Sequence, residues 1–72
     1  MLTPHTCRAA RAMLQMSQSQ LAQETGLAPS TIRNYEAGRS TPTPVNLAVI
    51  EATLDKAGVA FTTPDTVTYI GF

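Results

Sequence analysis

The stretch LAQETGLAPSTI, Leu21 to Ile32, reads as two short helical pieces with an interruption. Gly26 stops the first piece at a position where the left-handed backbone costs glycine little. Pro29 opens the second, at the first helical position where its missing N–H is no loss. A single amphipathic helix could have run through these residues. A break followed at once by a restart sets the second piece at an angle to the first and presents its outer face rather than burying it.

Working outward, Ser17 and Gln20 have the spacing of a capping box, in which each side chain satisfies the other residue's orphan amide. They open the second helix, whose inward face is Leu21, Ala22 and Thr25. The third helix puts Ile32, Tyr35 and Glu36 inward and stops at Gly38. Upstream, Thr3 and Pro4 form a cap-plus-proline start for a first helix with Cys7, Ala10, Arg11 and Leu14 on one face. Downstream, RSTPTP is a loop, and Thr43-Pro44 repeats the start signal for a fourth helix. There Leu47, Ile50, Leu54 and Ala57 share a face, Glu51 and Asp55 point outward, and Gly58 is the stop. The remainder, VAFTTPDTVTYIGF, is β-branched and aromatic, with TTPD as a turn between two short strands. An isolated hairpin is marginal in water, so these strands need the helices or another chain.

Seventy-two residues make one small domain, which buries only about 60–65% of the surface its unfolded chain exposes. The single cysteine, Cys7, allows no intrachain disulfide, and with His5 it lacks the partners of a zinc site. Self-association is the remaining supplement to a marginal core. A lone thiol suits a reducing compartment, and no apolar run approaches the roughly 18 residues of a membrane span, so a cytoplasmic protein without a membrane partner is expected. No catalytic constellation and no cofactor or metal motif is present. Cys7 reads as a small core residue and His5 as an exposed, idle one.

The pattern SQSQLAQETGLAPSTIRNYEAGRSTP resembles the helix-turn-helix of the Xre family, which includes phage Cro and lambda-type repressors. The residues that carry the likeness are Gln18, Leu21-Ala22, Gly26-Leu27, Ile32, Tyr35-Glu36 and Gly38-Arg39. The resemblance implies a mostly α fold, a four-helix lambda-repressor-like domain with a short C-terminal β element. It divides the chain into a helix-turn-helix domain over 1–58 and a β tail over 59–72. It further implies a regulator that binds double-stranded DNA with the third helix in the major groove. Base contacts then fall to Ser30, Arg33 and Asn34, with Pro29 acting by shape or on a thymine methyl. Phosphates fall to Gln18, Thr31, Arg39, Ser40 and Arg8, and Arg11 with Glu36 forms an ion pair holding the recognition helix. Several features depart from the family. Ala28 stands where Ser or Thr usually caps the third helix, Pro29 occupies a position often used for base contact, and the 39–46 loop is poor in basic residues. Past Gly58 the chain turns to strands where the phage repressors continue with another helix.

Zero formal net charge is unusual for a nucleic-acid binder. It is compatible with one if Arg8, Arg33 and Arg39 gather on one face while Glu24, Glu51 and Asp55 face away. The family's small bacterial members, some from mobile genetic elements, point to a repressor-like switch acting as a homodimer on a pseudo-palindromic site. Val67, Tyr69, Ile70 and Phe72 are the expected dimer contacts. The rival reading is a protein-interaction module of the antitoxin or anti-activator kind, gripping a protein partner through the tail or the fourth helix.

Overall fold

A computed structural model describes residues 2–63 and 65–71. Four helices precede a hairpin: α1 (Pro4–Leu14), α2 (Gln18–Thr25), α3 (Pro29–Glu36), α4 (Pro44–Ala57), β1 (Val59–Thr63) and β2 (Thr66–Tyr69). Mostly helical with a short antiparallel β element, this is the architecture the sequence implies.

Each helix start has a chemical cause. Thr3 caps α1 and is answered by Thr6, Ser17 caps α2 and is answered by Gln20, and Thr43 accepts from the Asn46 amide at α4. Proline occupies the first turn of α1, α3 and α4. The end of α1 was not legible: Gln15 takes the left-handed conformation (φ 54°) without being glycine, and the amides of Gln15 and Met16 close on Ala12 and Arg11. Gly26 ends α2 at φ 74°, with nothing in reach of an added Cβ. Only the backbone conformation asks for glycine there.

The core is Cys7, Ala10, Leu21, Ala22, Ile32, Tyr35, Ile50, Leu54, Val59 and Val67. Leu21, Ile32, Ile50, Leu54 and Val59 are fully enclosed, each worth about 1.5–3 kcal/mol of burial. Thr25 is half-buried and returns its hydroxyl to the Leu21 carbonyl. Glu51 is not fully outward: it accepts a hydrogen bond from the Leu2 amide at 2.8 Å, tying the N-terminal residues to α4.

The strands pair antiparallel, with Val59 opposite Tyr69, Ala60 opposite Thr68 and Phe61 opposite Val67, before the register slips at Thr62. The hairpin lies on the helices of its own chain, β2 against α1 and β1 against α4. This corrects one expected dimer contact. Val67 is 8% exposed within the core, because its register position faces α1. Tyr69 and Ile70, near the open end of the hairpin, remain 59% and 64% exposed. Phe72 lies outside the described residues.

Candidate nucleic-acid interface

Helix α3 has two unlike faces. Ile32 (0% exposed), Tyr35 and Glu36 are buried, and burial pushes the Tyr35 phenol up to about 12. Pro29, Ser30 and Arg33 are exposed, and Thr31 and Asn34 are half-buried. Among the described residues, none of the polar side chains on this outer row has a hydrogen-bond or ion-pair partner. Their donors and acceptors are open to an external ligand. The i, i+3 and i+4 spacings of Ser30, Arg33 and Asn34 put them on one strip.

Glu36 anchors the inner face. Arg11 grips its carboxylate with two parallel bonds, Nε to Oε2 at 2.7 Å and Nη2 to Oε1 at 2.6 Å, the geometry that suits a guanidinium to a carboxylate. Gln18 Nε2 donates to Oε1 at 3.0 Å and the Cys7 thiol to Oε2 at 3.1 Å. Residues from α1 and α2 thus converge on the last residue of α3. Desolvation alone would push the Glu36 carboxyl up. The hydrogen bonds from Arg11, Gln18 and Cys7, with the Arg11 charge, outweigh it and hold the carboxyl below its ordinary value. The bond to Glu36 in turn raises Arg11. Arg11 spends its remaining Nη1 on the Met16 carbonyl at 3.0 Å, bracing the α1–α2 turn.

The end of α3 is equally well satisfied. Ala37 closes on the Arg33 carbonyl, Gly38 on Tyr35, and Arg39 and Ser40 both on Asn34. Arg8 Nη1 donates to the carbonyl of Glu36 itself. All four terminal carbonyls therefore have partners, and a guanidinium sits at the negative end of the helix dipole.

These bonds revise several expected roles. Arg8 is not a free phosphate ligand, because its guanidinium is occupied by the α3 terminus and by His5 Nδ1 at 3.3 Å. His5 is for the same reason not idle. Gln18 turns its side-chain amide inward to Glu36, so that of its groups only the backbone N–H at the start of α2 faces outward from this contact. The amides of Arg39 and Ser40 are committed to Asn34, so only their exposed side chains are available there.

At the other end of α3, Ala28 makes no side-chain cap. The two-faced helix is held from behind by α1 and α2, and its polar strip is left unpaired. Residues 8–59 match the model of an Xre-like helix-turn-helix family. The chain belongs to that family. The match takes in α2 and α3 entire and runs from Arg8 to the first residue of β1. No curated protein matches the chain. As a helix-turn-helix protein it is a DNA-binding regulator in general terms, of a kind that is generally non-enzymatic. No helix among the described residues is long and apolar enough to cross a membrane.

Sequence reasoning paired Arg11 with Glu36 through the family pattern. It missed Cys7, Gln18 and Arg8 as further partners of the same residue. A buried carboxylate has up to about four acceptor sites to fill, and that count is the signal that more donors were needed.

Proposed function

We propose that the protein is a repressor-like regulator that binds a pseudo-palindromic operator as a homodimer, with α3 in the major groove. The observation that carries this reading is the unpaired strip of α3, Ser30, Arg33 and Asn34, on a helix whose other face is locked by Glu36. Asn34 suits adenine and Arg33 guanine, each by two hydrogen bonds. Ser30 addresses either base, and Pro29 offers apolar contact to a thymine methyl. Thr31, the side chains of Arg39 and Ser40, and the Gln18 amide take phosphates, which set register without reading sequence. No cofactor or metal enters this mechanism.

Dimerisation runs through the exposed end of the hairpin. Tyr69 and Ile70 are exposed apolar side chains, and neither β1 nor β2 contains a charged residue. Natural edge strands usually carry charge to prevent pairing, so its lack here supports pairing with a second copy. Half-sites then lie about one helical turn, or a multiple, apart. Control by protein concentration in the cytoplasm, as in a mobile-element switch, completes this reading.

The test is selection of bound duplexes from a random DNA library with the purified protein. A palindromic consensus with fixed spacing supports the reading, and absence of enrichment at low salt with folded protein removes it. Arg33 and Arg39 give about four phosphate-capable cations per dimer. With Arg39 alone on phosphates, log affinity falls against log salt with a slope of about −2, steepening to about −3.5 where Arg33 turns from its base to a phosphate. A slope near zero would contradict phosphate anchoring.

A further inference from the structure

Helix α4 is more apolar than a helix at the surface of a small domain requires. Of its fourteen residues only Ile50 and Leu54 are buried. Val45 and Val49 stay 72% and 36% exposed, and Ala48 and Ala52 are exposed beside them. The helix also carries Glu51, Asp55 and Lys56, so its outer face is an apolar strip bordered by charge. Here that surface is hollowed. A depression of 320 Å³ lies between Ala48, Ala52 and Phe61, with Glu51 and Asp55 in its wall. A second, of 240 Å³, is lined by Leu2, Leu47, Ala48 and Glu51. Both bordered by Ala48 and Glu51, the two depressions lie side by side along α4 and are together called its trough.

Charge decides what fits. Among the described residues, Glu51 accepts only the Leu2 amide, and the Asp55 carboxylate has no partner. The one ion pair among the described residues is Arg11–Glu36. The trough is therefore edged by two carboxylates one helical turn apart, neither with a counter-ion among the described residues. DNA is repelled by such an edge. A second copy related by a two-fold axis would bring the same carboxylates against each other. We propose that this trough docks an amphipathic helix of a different protein, with its apolar stripe on Ala48, Ala52 and Phe61. Lysine or arginine side chains one turn apart on that helix pair with Glu51 and Asp55. The two alanines let a helix approach at the close end of the usual 8–10 Å spacing. Because α4 packs on α1, α2 and β1, the surface is separate from the outer strip of α3. Partner and DNA can be held at once, and failure of this inference leaves the DNA reading intact.

The test uses two synthetic helical peptides with the same Leu/Ala stripe, one carrying lysines and the other glutamates at two positions one turn apart. Each is titrated into the full isotope-labelled chain, following amide shifts and the anisotropy of a labelled peptide. The lysine peptide is expected to bind and to shift Ala48, Ala52, Asp55 and Phe61 while leaving the amides of α3 in place. Asp55→Lys should weaken it by about 3- to 10-fold. Ala52→Arg, which fills the trough at an exposed helical site, should abolish binding with helicity unchanged. Equal binding of the glutamate peptide, shifts centred on α3, or an unaltered affinity in Asp55→Lys would each overturn the proposal. Concentration-dependent self-association of the parent, removed by Ala52→Arg, would overturn it in favour of a second copy.

Discussion

Replacing Glu36 with glutamine tests whether one carboxylate holds the recognition helix. The side chain is 2% exposed and that of Arg11 is 17% exposed. Removing one member of such a buried pair typically costs about 3–5 kcal/mol, because the remaining charge is left without its partner. Arg11 retains some access to water, which argues for the lower end, about 3 kcal/mol. A domain of this length has roughly 4–11 kcal/mol in total, so the loss is a large fraction of stability. In urea, with a slope of about 1 kcal/mol/M for a chain this small, the midpoint followed by circular dichroism should fall by about 3 M. Glu36→Leu combined with Arg11→Met should recover much of that loss, since no buried charge remains. The pH profile gives an independent check. The Glu36 carboxyl is held below its ordinary value of 4.5. Its contribution is therefore complete above that value and disappears as pH falls through the lower folded value. The parent should weaken in that acid window, and Glu36→Gln should lack this component. A midpoint within about 0.5 M of the parent, with parallel acid profiles, would refute the anchoring role.

Other consequences are as direct. Asn34→Ala should cost about 1–3 kcal/mol at one operator position and little elsewhere, read by competition binding against single-base variants of the selected site. Ile70→Asp places a charge on a 64% exposed side chain at the hairpin's open end; sedimentation should show loss of the dimer with helicity retained. Gln15→Gly should raise stability by up to about 1 kcal/mol by relieving a left-handed residue, seen as a higher thermal midpoint.

Helix starts were legible because they are local: Thr3-Pro4, Ser17 with Gln20, and Thr43-Pro44 carry the whole signal within four residues. The end of α1 was not, because Gln15 adopts its conformation under tertiary constraint rather than preference. The hairpin shows the same division. Alternation sets Val67 and Tyr69 on one face, but it cannot tell where that face runs past α1, so one residue is core and the other surface. At the recognition helix, the outward positions Ser30, Arg33 and Asn34 followed from the motif. The destination of Arg8 did not, because an exposed arginine reads alike in sequence whether it meets a phosphate or a helix end. Cys7 and Gln18 reach Glu36 across 29 and 18 residues, beyond any periodic pattern.

The thiol of Cys7 has a use outside regulation. It is wholly enclosed, and burial, followed by its bond to the Glu36 carboxylate, raises its pKa far above the ordinary thiol range. In the closed molecule it is thus both unreachable and uncharged, while only the thiolate reacts. A thiol-specific dye can modify it only when the packing around α1 opens. As the chain's sole cysteine, Cys7 turns the labelling rate into a direct count of those openings. The same residue that helps to seat the recognition helix reports, without any engineered probe, how often the seat comes apart and whether bound DNA keeps it shut.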